Sequence, residues 1–242
     1  MQVDNSDFFN DVSVFYDEMI NFEKSIERRI SVLSEFNLSG NALDLGCGTG
    51  LDSISLAKLG CNVTACDQSA EMISKAKLNA IKHNVNINFI ESPVQNISQI
   101  MDKKFDVIVS LGNTLANLTP EQISALLKSL PDTMNEKCRI IFQIVNFSIL
   151  PESGEYLLNK FENEKRIIKR FYTIGSRIYF NIEFIDKINN QSKTITTEIF
   201  PYGKEFFRKN FEEIGIKIKF FGGIDLSDYE LKKSKDLVIV SV

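Results

Sequence analysis

Leu43-Asp-Leu-Gly-Cys-Gly-Thr-Gly50 stands between an apolar run, Ala42 to Leu45, and a stretch whose apolar positions are Leu51, Ile54, Leu56, Ala57 and Leu59. This reads as strand, tight turn and amphipathic helix. Glycines on alternate positions, Gly46, Gly48 and Gly50, let the backbone turn sharply and let a ligand approach the main chain with no Cβ in the way. The helix behind the turn offers free N–H groups to the polar end of such a ligand. Two common nucleotide loops do not fit. The dinucleotide turn G-x-G-x-x-G, begun at Gly46, needs glycine where the chain has Leu51, and a P-loop needs lysine directly after its glycines, where the first lysine is Lys58.

Downstream, a second strand over 62–67 ends in Asp67, an acid placed to accept two hydrogen bonds from a ribose diol. Strand and helix signals then alternate as far as residue 146. Strands are expected at 41–46, 62–67, 86–90, 105–111 and 138–146, and helices at about 51–60, at 69–84 behind Ser69, and from Thr119-Pro120 onward. That order predicts a parallel, doubly wound α/β sheet with a Rossmann-like core over 41–150. Residues 7–37 carry helical periodicity in two pieces around Asn21, so 1–40 is expected to form a helical lid. After strand five the period changes to two over 166–172, 177–186 and 193–200, predicting an antiparallel β insert within 151–200. A last helix at 203–214, stopped by Gly215, and strands at 216–221 and 236–242 bring 201–242 back to the core as strands six and seven.

Composition narrows the function. A net charge of −4 and a pI near 5.3 argue against a nucleic acid partner held by a broad basic face. The local basic clusters, Lys165, Arg166, Lys169 and Arg170, and Lys232, Lys233 and Lys235, read as solvated faces or strand edges. No stretch approaches the length of a membrane span, and Met1 to Asp7 lacks a basic and apolar leader, so a cytoplasmic protein is expected. Cys47, Cys61, Cys66 and Cys138 form no C-x-x-C pair and read as reduced core thiols, while the single histidine, His83, has no partners for a metal site or a triad.

The pattern D-x-G-x-G-x-G from Asp44 to Gly50 resembles motif I of class I S-adenosylmethionine (AdoMet) methyltransferases. Ser110-Leu-Gly-Asn-Thr-Leu-Ala-Asn-Leu118 resembles the L-G-N-S-F-x-H-L element of the glycine/sarcosine N-methyltransferase group, and Val145-Asn-Phe-Ser-Ile-Leu150 resembles its N-Y-D-x-I-L. The antiparallel insert and the Phe200-Pro-Tyr202 lead-in to the last helix are similar to that group's layout. The resemblance implies a seven-stranded methyltransferase sheet with AdoMet as methyl donor, S-adenosylhomocysteine as product, and no metal. It implies cofactor contacts from Asp44, Gly46, Cys47, Gly48 and Gly50, a ribose clamp at Asp67 beside Gln68, Met72 near the adenine, and further contacts at Pro93, Val94 and Leu111. Asn113 is implied to face the acceptor, and Tyr16 could reach the methyl region from the lid. Departures fall on both the adenine and the acceptor sides. Pro93 stands where many relatives carry an acid, leaving the adenine amino group to Gln95 or to backbone carbonyls, and Asn117 and Phe147 replace a histidine and a tyrosine. Lys24, Arg28 and Arg29 are all candidates for the AdoMet carboxylate.

The expected activity is methyl transfer to a small molecule, at an amine nitrogen, by a monomer or homodimer. Such a displacement draws its rate from alignment of donor and acceptor, and a neutral amine needs no strong base. Two alternatives stay open: a methyltransferase of RNA or protein, and an AdoMet-binding protein without turnover. The sequence does not identify the acceptor.

Overall fold

The computed structural model describes residues 6–242; residues 1–5, on which the expectation about a leader mostly rests, lie outside the described part. Two helices open the chain, α1 (Ser6–Ile20) and α2 (Phe22–Ser34), broken at Asn21, whose φ of 50° is left-handed. The core then alternates: β1 (Asn41–Leu45), α3 (Leu51–Lys58), β2 (Asn62–Asp67), α4 (Ala70–Lys82), β3 (Asn88–Glu91), a 3-10 turn leading into the short α5 (Ile97–Ile100), and β4 (Phe105–Ser110). After a 3-10 turn at Thr114–Asn117 come α6 (Pro120–Thr133) and β5 (Met134–Val145). Strands β6 (Gly154–Glu162), β7 (Arg166–Ile174), β8 (Ile178–Asp186) and β9 (Gln191–Ile199) form a second sheet, and α7 (Lys204–Glu213), β10 (Ile218–Phe221) and β11 (Asp236–Ser241) end the chain.

The main sheet has seven strands in the order β10-β11-β5-β4-β1-β2-β3. Strands β1 to β5 run parallel, and β11 inserts antiparallel between β5 and β10. Alternation along the strands feeds two cores. Leu43, Leu45, Ile108, Ile140 and Phe142 pack toward α6 and α7, while Ala42, Val63, Ala65, Val107 and Val109 pack toward α2 and α3. A parallel sheet covered on both faces needs apolar residues at nearly every position, which is what made these segments stand out as strands. The starts of α4 and α6 are locally encoded. Ser69 Oγ accepts from Met72 N, and Thr119 and Gln122 make a reciprocal capping box ahead of Pro120.

Three expectations need correction. Strand β5 begins at Met134, four residues before the expected start, because α6 runs directly into it with Pro131 in its last turn. The insert has four strands where three were expected: β6 pairs antiparallel with β7, and its register shift between Leu157 and Asn159 hid the period-two pattern. Arg170 is not on a solvated face, as shown below.

Candidate active site

Chain reversal at Gly46 sets the floor of the site. Its φ is 77°, and a Cβ there would lie 2.2 Å from Cγ2 of Thr114, so only glycine lets the loop after β4 close against this turn. The N–H groups of Gly46 and Cys47 both donate to the Cys66 carbonyl, at 2.8 and 2.9 Å, tying the loop to the end of β2. Gly50 caps α3 with φ 93° and no side chain, and a Cβ there would come within 3.3 Å of that of Ala76 on α4. At the end of β2, the Asp67 carboxylate accepts from Gly48 N at 2.9 Å and from Ser69 N at 3.0 Å. Each oxygen keeps acceptor capacity beyond those bonds.

A cavity of about 430 Å³ opens above this floor, inside the usual range of about 300–1,000 Å³ for small-ligand sites. One wall is Gly46 to Thr49 with Asp67, Gln68, Met72, Val94 and Leu111. Tyr16 of α1 and Arg28 and Arg29 of α2 line it from the N-terminal helices, and Gly112, Gln143, Asp236 and Arg170 line it as well. Because β11 runs antiparallel, its first residue, Asp236, pairs with Val145 at the carboxyl edge of the parallel strands, where ligands of open α/β sheets bind.

Tyr16, Gly46, Cys47, Gly48, Asp67, Gln68, Met72, Val94 and Leu111 therefore meet in one cavity. Four other expected residues stand off its wall. Asp44 is buried beneath the loop, where its carboxylate accepts from Ser53 Oγ. Gly50 serves the contact between α3 and α4, and Pro93 precedes the 3-10 turn that carries Val94. Asn113 sits at φ 74°; its Oδ1 accepts from Val145 N at 2.9 Å and its Nδ2 donates to the Tyr172 hydroxyl. Its carboxamide latches the β4 loop to β5. Of the candidate cations, Lys24 is exposed away from the cavity, and Arg29 pairs with Asp52 at 2.8 Å.

Burial shapes the electrostatics. It raises the Asp67 pKa against the three backbone N–H groups of Ser69, Gly48 and Gln68 that pull it down. It pushes Asp44 up to about 8, with the Asp52 charge adding to the effect, so that Asp44 is largely a neutral acid near pH 7. Asp52 is also raised by burial, with Arg29 opposing, and Asp236 is raised by burial with Gln143 opposing. The Tyr16 phenol is raised by burial in spite of Arg170 beside it, and stays a neutral donor. Carboxyl groups on the loop side suit a ligand carrying fixed positive charge, as a sulfonium does. Thr49 Oγ1, buried in the glycine loop without a hydrogen-bond partner among the described residues, and the unused acceptor capacity of Asp67 together fit a polar, ribose-bearing ligand such as AdoMet.

Residues 42–137 match the family model described as a methyltransferase domain. The match spans less than half of the chain and marks a methyltransferase domain within it. Its span holds the glycine loop, Asp67, Met72, Val94 and Leu111, whereas Tyr16, Arg170 and Asp236 lie outside it. The chain is similar to a glycine/sarcosine N-methyltransferase of Aphanothece halophytica, 23% identical over 215 residues, covering 84% of this chain and 77% of the relative. Among solved structures, an S-adenosylmethionine-dependent methyltransferase from Clostridium acetobutylicum ATCC 824 superposes with a TM-score of 0.78 at 18% identity, covering 96% of this chain and 98% of the other. CalS10, a SAM-bound amino pentose methyltransferase from Micromonospora echinaspora, gives 0.71 at 12% identity, covering 93% and 95%. Both likenesses hold for the methyltransferase fold including its insert. Sequence reading missed Asp236, Gln143 and Arg170. The signals were present, since Asp236 opens an apolar strand and Arg170 falls on the inward phase of β7.

Proposed function

We propose that the protein transfers a methyl group from AdoMet to the amine nitrogen of a small molecule. The observation that carries this reading is one cavity lined by the glycine loop and Asp67 and also by Asp236 and Arg170. AdoMet, when bound, supplies an electrophilic methyl on a sulfonium sulfur. On this reading Asp67 holds the ribose diol, the glycine loop and Thr49 hold the amino acid end, Arg28 meets its carboxylate, and Val94, Met72 and Leu111 pack around the adenine. Tyr16 donates from the lid toward the reacting atoms and shuts out water.

Positive charge develops on the acceptor nitrogen as its lone pair forms the new C–N bond and the C–S bond breaks. A fixed carboxylate at that nitrogen stabilises the developing charge, and Asp236 is the residue assigned to do so. Its raised pKa makes it a better proton acceptor than a free aspartate once nitrogen has been methylated. The similarity to a glycine/sarcosine N-methyltransferase and to an amino pentose methyltransferase supports nitrogen as the acceptor atom. The walled cavity favours a small acceptor over RNA or a protein surface. A metabolite screen with methyl-labelled AdoMet tests the proposal: transfer of label to a small amine is expected, and label confined to protein or RNA, or no transfer from any pool, refutes it.

A further inference from the structure

β7 alternates between the two faces of the insert sheet, and its even-numbered residues point inward. Ile168, Tyr172 and Ile174 on that phase are buried, and Ile182 of β8, the register partner of Arg170, is buried as well. Arg170 is thus a cation flanked along its strand by buried apolar residues. Its basic neighbours are accounted for: Arg166 pairs with Glu18 at 3.5 Å, and Lys169 pairs with Glu183 at 2.7 Å. Among the described residues no carboxylate pairs with Arg170, whose guanidinium lies over the Phe180 ring, 5.6 Å from its centroid, and whose buried Nε has no hydrogen-bond partner. Burying a charge without a partner is costly, and arginine's planar fork of donors matches a carboxylate or a phosphate in two-point geometry. The guanidinium lines the cavity, close enough to act electrostatically on Tyr172, which also feels Asp236, and on Tyr16 of the lid.

We infer that Arg170 binds an anionic group of the methyl acceptor, so that the substrate is an amine that also carries a carboxylate or a phosphate. This rests on the proposed function, and it divides the acceptor between two side chains, Asp236 at the nitrogen and Arg170 at the anion. An amine without an anionic group would leave the buried Nε–H without an acceptor, so Arg170 selects against it.

The test follows the Nε–H resonance of Arg170 by NMR, assigned by its loss in Arg170→Gln, during titration with acetate and with inorganic phosphate, each with and without S-adenosylhomocysteine. Saturable movement of that resonance is expected with one of the two anions, and which one identifies the anionic group. Binding of that anion should weaken about 10- to 150-fold in Arg170→Gln, the range for a hydrogen bond to a charged group, and less in Arg170→Lys, which keeps the charge and also gives the assignment should the glutamine variant not fold. Affinity for S-adenosylhomocysteine should stay within about twofold in both variants. Silence with both anions overturns the inference. So does a resonance that moves with S-adenosylhomocysteine alone while the variants lose affinity for it, since Arg170 would then hold the cofactor's carboxylate. A wild-type protein that binds an anion at Arg170 but no S-adenosylhomocysteine would refute the proposed methyl donor and leave the anion site standing.

Discussion

Replacing Asp67 by asparagine tests the donor side of the site with the least change in shape. The two carboxylate oxygens accept from Gly48 N at 2.9 Å and Ser69 N at 3.0 Å. A carboxamide of the same outline offers one oxygen and one NH2, so one of those N–H groups would face another donor. A hydrogen bond to a charged group is worth about 1.5–3 kcal/mol. The variant also sheds the desolvation that raises the Asp67 pKa, which offsets part of that loss. A net destabilisation of about 1–2 kcal/mol follows, or roughly 2–8 °C in melting temperature for a chain of this size. Ligand affinity should fall further, because the ribose diol loses an anionic acceptor: about 1.5–3 kcal/mol, or roughly 10- to 150-fold in Kd. Calorimetric titration with S-adenosylhomocysteine beside a thermal melt separates the two effects. A lower melting temperature with unchanged affinity would refute the clamp and reduce Asp67 to a brace for its own loop.

Asn113→Ala should cost about 1–3 kcal/mol of stability by leaving the Val145 N–H unpaired, read by urea denaturation, with turnover per folded molecule little changed; a folded variant that has lost its turnover would return Asn113 to the chemistry. Asp44 has a folded pKa near 8 against about 4 unfolded. Its contribution to stability is therefore full below about pH 4 and is lost as pH rises through about 8, at no more than about 1.4 kcal/mol per pH unit. Asp44→Asn should flatten stability between pH 5 and 8 in denaturant titrations, and an unaltered slope would place the buried proton elsewhere. Asp236→Asn should lower kcat while leaving S-adenosylhomocysteine affinity within about twofold, and should remove the acid limb of the pH–rate profile; a limb that survives assigns it to another group. Tyr16→Phe should lower kcat without shifting that profile, since its phenol stays neutral over the working range, and a moved limb would contradict that role.

The donor half was legible because its demands are local. A sharp turn requires Gly46, the end of β2 fixes where Asp67 stands, and buried parallel strands need runs of apolar residues, all within a few positions of one another. The acceptor half is assembled by tertiary structure. Asp236 joins the site only because β11 enters the sheet antiparallel, and Arg170 only because β7 turns one face toward the cavity. Asn113 has a local role that its sequence context did not reveal. A conspicuous polar residue at the end of β4 suggested chemistry, yet a left-handed φ of 74° and an otherwise unpaired Val145 N–H are what ask for asparagine there.

Helix α1 touches both halves at once. Asn10 accepts from Ser69 Oγ at 2.6 Å and Asp17 from Asn79 Nδ2 at 3.0 Å on the core side, while Asp11 pairs with Lys193 at 2.6 Å and Phe8 and Phe15 pack on Phe180 and Phe184 of the insert. One rigid rod is thereby clasped between two sheets and joined to the remainder of the chain through a single left-handed residue, Asn21. If either ligand had to seat this rod, the other would find it seated, and the affinities of donor and acceptor would rise together by one common factor.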